Sequence, residues 1–316
     1  MKNILKICIL LSVAVKTCFA DEKIGKVAIV IPMEHRAMNE IVKGVKDNLK
    51  GKINDDKVVV FNAMGDANNM NSIINQVAQN PEYQAILPIG TNATYLALGA
   101  TKDKNIVSLA STIDEKTRQK LITDGYANIT NVYDEVSSDN ILEFVSAIKK
   151  RNILLVFSND ERIIDEVKDL EEKQSKYNLQ IHKFNVSNAT DIYAMGSAIS
   201  NVDCILFLKD HLVVSMVNVI TSHAHDKSIS VIASDEGSTI GGADIGLGVD
   251  EYDIGATGAE VLKELLDGKK PADIPVRVIK DIKIFHNTNS NINIDELKVV
   301  SSKLGYKVKE VIAIQD

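Results

Sequence analysis

The chain has little cysteine, little net basic charge and no long apolar run past its first residues, and each shortage removes a class of answer. Its three cysteines are Cys8, Cys18 and Cys204. The first two fall in an N-terminal leader, so the mature chain keeps Cys204 alone and has no intrachain disulfide. That residue sits in the apolar run Cys204-Ile-Leu-Phe-Leu208, the setting of a buried strand. Beyond the leader no segment is apolar enough to cross a bilayer, which takes roughly 20 such residues. There are 43 acids against 36 bases, an excess that argues against nucleic acid or an anionic membrane as partner. Catalytic signatures are missing as well. The chain has no Gly-x-Ser-x-Gly elbow, no Gly-x-x-x-x-Gly-Lys loop and no Gly-x-Gly-x-x-Gly after its first strand. The glycines of Gly241-Gly-Ala-Asp-Ile-Gly-Leu-Gly248 precede and enter a strand and read as a turn, not as a phosphate cradle.

What the first 20 residues do contain is an export signal: Lys2 and Lys6, the apolar stretch Ile7 to Val15, and Cys18-Phe19-Ala20 with small residues where a signal peptidase reads. Nine apolar residues interrupted by Lys16 are too few for a membrane anchor, and Lys16 fits poorly with lipid attachment at Cys18. Cleavage after Ala20 leaves 296 of the 316 residues and, by removing three lysines and no acid, moves the formal charge from −7 to −10. A periplasmic location is the expectation.

A chain of this length exceeds what one core usually serves, so two lobes are expected. Lys26-Val-Ala-Ile-Val-Ile31 reads as a buried parallel strand, and Met38, Ile41, Val42, Val45 and Leu49 follow at helical spacing. Similar β-α units are read at 57–61 with 69–79, 85–88 with 92–101, and 106–110 with 114–122, which makes the first lobe four strands deep before Tyr126 to Asp134. A second series has helices through Ile141 to Ile148 and Ile163 to Leu170, strands at 153–157, 179–184, 204–208 and 229–233, and helices at 191–200 and 212–225. Such connections predict an α/β fold with an open, doubly wound parallel sheet in each lobe, and ligands in such sheets sit beyond the carboxyl ends of the strands.

Loops at those ends carry a resemblance. Met33-Glu34-His35-Arg36-Ala37, Asn62-Ala63-Met64-Gly65-Asp66, Gly90-Thr91-Asn92-Ala93, Ile232-Ala233-Ser234-Asp235, Leu247-Gly-Val-Asp-Glu-Tyr-Asp-Ile-Gly255 and Leu266-Asp-Gly-Lys-Lys-Pro-Ala-Asp-Ile-Pro-Val276 are similar to the substrate-binding proteins of ABC transporters, of the tryptophan/tyrosine type. The resemblance runs in order along essentially the whole mature chain. It implies the periplasmic-binding-protein type I fold, with lobe one at 21–130 plus 251–281 and lobe two at 131–250 plus 282–316. The three crossings, near 130, 250 and 281, form a hinge. It also implies a monomer that needs no cofactor or metal and hands a small ligand, an amino acid and first of all an aromatic one, to an ABC permease and its ATPase.

The candidate ligand-binding residues are Glu34, His35, Gly90, Thr91, Asn92 and Ser111 in lobe one, Asn159, Asp210 and Asp235 in lobe two, and Tyr133 and Asp250 at crossings. The Gly90-Thr91-Asn92 turn opens a helix whose free N–H groups suit a carboxylate. Glu34, Asp235 and Asp210 suit an α-ammonium group. Each acid has a plainer reading as a helix cap, Asp66 and Asp210 most of all. Tyr133 and Tyr252 read as stacking surfaces or as ordinary packing. The chain departs from the family pattern at Asn131 and Tyr133, in Ser111-Thr-Ile-Asp-Glu115, which lacks a proline, and at His211. Two other readings stay open. The same fold can present its ligand to a membrane receptor, and two carboxylates across a cleft are the parts of a hydrolase. His223 and His225, two apart, point to different sides of a helix end and share no metal.

Overall fold

The structure is a computed structural model and describes residues 25–34, 36–134, 136–197 and 199–313. The leader at 1–20 lies outside the described residues, and no described helix is long and apolar enough to cross a membrane.

In chain order the first lobe runs β1 (Lys26–Ile31), α1 (Arg36–Leu49), β2 (Val58–Asn62), α2 (Ala67–Gln79), β3 (Tyr83–Pro88), α3 (Thr91–Ala100), β4 (Asn105–Ser108), α4 (Glu115–Thr123) and β5 (Ile129–Tyr133). The chain then passes to α5 (Ser138–Ala147), β6 (Asn152–Ser158), α6 (Glu161–Lys173), β7 (Gln180–Val186), α7 (Ala189–Tyr193), β8 (Cys204–Phe207), α8 (His211–Val214), α9 (Val217–His225), β9 (Ser230–Ala233), α10 (Glu236–Ile240) and β10 (Ile245–Gly248). It returns for α11 (Glu251–Leu266) and β11 (Arg277–Val278), then leaves again for β12 (Lys283–Asn287), α12 (Ile294–Leu304) and β13 (Lys307–Val311). Two sheets result, ordered β11-β5-β4-β3-β1-β2 and β13-β12-β10-β9-β8-β6-β7. The chain therefore crosses between them three times, after β5, β10 and β11.

Strand period explains why each sheet is covered on both faces. In β1, Val27, Ile29 and Ile31 enter one core with α1 and α11, while Ala28 and Val30 enter another with α2 and α3. In β6, Ile153, Leu155 and Phe157 pack toward α5, α6 and α12, while Leu154 and Val156 face α7 and α9. The first lobe is pinned by a close approach of α1 and α11. A Cβ on Gly255 would lie 1.9 Å from the Ile41 carbonyl oxygen, and one on Gly44 would lie 2.2 Å from that of Tyr252.

Several elements differ from the sequence reading. Ile129–Tyr133 is a fifth strand of the first sheet, paired with β4 and β11, where the reading stopped at four. The helix read over 191–200 is a single turn, Ala189–Tyr193, continued by a 3-10 turn at Ala194–Ser197. The helix read over 212–225 is two, because Met216 leaves helical geometry at ψ 17° between α8 and α9. Nor is the second sheet wholly parallel: β12 runs antiparallel to β10. β10 ends at the hinge and β12 starts from it, so neighbouring positions force opposite directions.

Candidate functional site

Loops after β1, β3, β4 and β5 in one lobe and after β6, β8, β9 and β10 in the other hold the predicted residues, as the strand-end rule requires. In lobe one, Gly90 adopts φ 92°, a left-handed value that lets the chain turn sharply into α3. The Thr91 hydroxyl, at the first turn of α3, accepts a bond from the Thr112 N–H at 3.2 Å and so ties α3 to the loop after β4. Ser111 is buried and takes a 2.7 Å bond from Ser108 Oγ, which itself bonds Thr94 at 2.7 Å. Asn131 in β5 donates to the Ile113 carbonyl at 2.5 Å and clamps the same loop. Glu34 and Asn92 are exposed, Tyr133 is partly buried at the end of β5, and His35 lies outside the described residues. Tyr252 turns away to α1, with Lys43 Nζ 4.7 Å from its ring and Asn48 bonding its hydroxyl at 3.4 Å.

In lobe two the predicted acids serve their own helices first. Asp210, 1% exposed, accepts from the Leu212 and Val213 N–H groups of α8 and, through its other oxygen, from the Ser158 N–H at 2.6 Å. Asp235 caps α10 through the Ser238 N–H and takes the Ser238 hydroxyl as well, each at 2.7 Å. Asp250 caps α11 through Tyr252 N–H, while its second oxygen receives Lys283 at 3.0 Å and Lys309 at 2.7 Å. Burial would raise the Asp250 carboxyl, but the bonds from Lys309 and Lys283 outweigh it and hold it below the ordinary range. Asn159 is exposed and bonded to Ser187 and Asn185. Asp66 caps α2 through the Asn69 N–H.

The groups left facing the cleft are their chain neighbours, which the sequence reading did not select. Lys209, just before Asp210, reaches across to Asp134 at the end of β5, Nζ to Oδ2 2.5 Å. Burial would lower the Lys209 pKa, yet the charges of Asp134, Glu251 and Asp235 hold it above its usual value. Glu236, next to Asp235, is 3% exposed; one oxygen meets Lys309 at 2.9 Å and the other, Oε2, is buried without a partner. Glu251, next to Asp250, is 8% exposed. Burial is the main cause pushing its carboxyl up to about 8, and the Asp134, Asp235 and Glu236 charges add to it against the opposing pull of Lys209.

Arg36, Ala37 and Glu40 of α1, Glu236, Gly237 and Ile240 of α10, and Glu251 enclose a cavity of about 10 Å³ between the lobes. That is room for roughly one water-sized group, so anything larger needs the lobes to part. A wider depression of about 520 Å³, lined by Lys149, Lys150 and Lys227 among others, lies at the opposite, amino ends of β6, β8 and β9, away from the converging loops. Among the described residues there is no cluster of three or more potential metal ligands. His225, exposed at the helix end, pairs with Asp244, Nε2 to Oδ1 2.9 Å, and His223 Nε2 is buried without a partner. Cys204 is buried in β8, with its thiol pushed up to about 12 by burial.

A family model described as ABC transporter substrate binding protein matches residues 26–304. An uncharacterized protein of Rickettsia prowazekii is 34% identical over 293 residues, with 92% of each chain covered. A tyrosine-binding protein of Clostridioides difficile is 26% identical over 283 residues, covering 87% of this chain and 82% of its own. Among solved structures, a ligand-free, open substrate-binding protein with adhesive properties from Clostridium difficile superposes with a TM-score of 0.71 at 21% identity, over 92% of this chain and 100% of its own. A Streptococcus domain in complex with L-Trp gives the same TM-score, 0.71, at 22% identity over 90% of this chain and 99% of its own. These likenesses carry the periplasmic-binding-protein type I fold, and the match along 26–304 places the chain in the ABC transporter substrate-binding protein family.

Proposed function

We propose that this protein is exported, captures an amino acid between its lobes and delivers it to an ABC permease and its ATPase, with an aromatic amino acid as the first candidate. The observation that carries the reading is the convergence of both lobes' strand-end loops on one cleft with unlike ends: a free helix N-terminus at Gly90-Thr91-Asn92 and a concentration of carboxyls around Glu236 and Glu251. An amino acid carries the matching pair of charges. The tyrosine-binding relative and the L-Trp complex support the choice of side chain.

The mechanism needs no covalent step. In the open form a ligand touches one lobe; hinge closure at the three crossings lets it touch both, and that added contact is the free energy that holds the closed form. The α-carboxylate docks at the α3 N-terminus, where backbone N–H groups have no helical partner. The α-ammonium docks among the acids at the starts of α10 in lobe two and α11 in lobe one. A permease then distinguishes loaded from empty protein by the closed surface. Titration calorimetry of the chain from Asp21 with L-tyrosine, L-tryptophan and L-phenylalanine tests the reading, with Thr91→Ala and Asp235→Asn as variants. Saturable binding weakened by Thr91→Ala is expected; no binding of any amino acid contradicts it.

A further inference from the structure

We propose that Glu251, with Glu236 beside it, is the seat of the ligand's ammonium group, and that filling this seat expels a proton from Glu251. The proposal rests on the amino-acid reading and deepens it by naming the groups that receive the cation. Two nine-tenths-buried carboxyls line the same inter-lobe cavity, and Glu236 has an unused acceptor. Glu236 Oε2 is buried without a partner, and Glu251 lies beside it in the same cavity wall. A buried acceptor without a donor is costly, and such a group in a cavity wall calls for one from outside. The acids chosen from sequence are poorer receivers, because Asp210, Asp235 and Asp250 already bond backbone N–H groups.

Size and sign select the donor. The cavity, about 10 Å³, admits one water-sized group, the size of an ammonium nitrogen. An ammonium group brings three N–H donors, enough to reach both carboxyls, whereas a carboxylate would meet like charge. The groups facing Glu251 are Lys209 and Asp134 at the lobe junction, Asp235 and Glu236 at the start of α10, and Arg36 and Glu40 on α1. Lys209 is held by Asp134, Lys309 holds the other oxygen of Glu236, and Arg36 is exposed, with no ion pair among the described residues. The empty seat is therefore protonated at neutral pH, and arrival of R–NH₃⁺ converts Glu251–COOH to Glu251–COO⁻···H₃N⁺–R with one H⁺ released to water.

Calorimetry in buffers of different ionisation enthalpy counts that proton. The probes are L-tyrosine, tyramine (no carboxylate), 3-(4-hydroxyphenyl)propionate (no amine) and the remaining amino acids. For the wild type we expect about one proton released at pH 7, affinity rising roughly 50-fold from pH 6 to pH 8, and no binding of the deaminated analogue. Glu251→Gln should release none, lose the pH dependence and bind about 10- to 100-fold more weakly at pH 8, the scale of a charged hydrogen bond. An amino acid that binds with no proton release, and equally well to Glu251→Gln, overturns the seat and leaves the amino-acid reading standing. Binding of tyramine but of no amino acid, with Glu251 dependence, keeps the seat and overturns that reading. Failure of every primary amine to bind overturns both. Should Glu251→Gln not fold, the wild-type proton count decides alone, and zero release at pH 7 rejects the proposal.

Discussion

Lys209 and Asp134, 75 positions apart, form an ion pair of 2.5 Å that joins the end of β5 in one lobe to the end of β8 in the other. Asp134 is 9% exposed and Lys209 31%, so the pair sits in a cleft and not in a sealed core. Lys209→Met leaves Asp134 and its acidic neighbours without their cation. A stability loss of about 2 kcal/mol is expected, below the value for fully buried pairs because water reaches Lys209. The urea midpoint measures it; an unchanged midpoint would show that the pair is spent against its own desolvation.

Glu251 gives the protein a pH signature. Its folded pKa, about 8, lies above the ordinary 4.5, so between these values the folded state holds a proton that the unfolded state lacks. Stability therefore falls as pH rises through that window. Glu251→Gln cannot ionise, and its thermal midpoint relative to wild type should climb from pH 5 to pH 9. Parallel curves would place the Glu251 carboxyl near its ordinary range.

Asp250 behaves in the opposite sense. Lys309 and Lys283 hold its carboxyl below the usual 3.8, so its contribution is complete above that value and is lost as pH falls through the lower, folded one. Asp250→Asn should cost about 1–2 kcal/mol at pH 7, since it takes one of two carboxylate partners from both Lys283 and Lys309 and weakens a helix cap. The difference from wild type should shrink below pH 4 in acid titrations followed by circular dichroism.

Gly255 is fixed by packing. A Cβ there would meet the Ile41 carbonyl at 1.9 Å, so Gly255→Ala must push α11 from α1 and is expected to cost about 2 kcal/mol or more. Gly268, with open space around its Cβ position but φ 95°, is the matched control for strain without a clash. Denaturant melts of both separate the two effects.

The β-α alternation was legible because buried parallel strands such as Lys26–Ile31 are continuous apolar runs and their helices keep a period of 3.6. Ile129–Tyr133 was not, since Thr130 and Asn131 break its apolar run; both are buried, bonding the Ile274 and Ile113 carbonyls. The strand-end acids share one local geometry. An Asp after a strand turns its carboxylate back onto the next helix, as Asp210, Asp235 and Asp250 do. The residue beside it points elsewhere: Lys209 before the first pairs with Asp134 across the lobes, and Glu236 and Glu251 after the others line the inter-lobe cavity. A cap is visible in sequence, but which neighbour faces the opposite lobe depends on how the lobes meet.

The central claim, capture of an amino acid between the lobes, is tested most directly by a thermal-shift titration of the chain from Asp21 against the amino acids, with sugars and nucleosides alongside. A ligand that binds only the folded state raises the midpoint in proportion to the logarithm of its concentration above Kd. The account predicts such a rise with one amino acid, first among them tyrosine, tryptophan or phenylalanine. Stabilisation by a sugar or nucleoside alone, or by nothing in the panel, would contradict it.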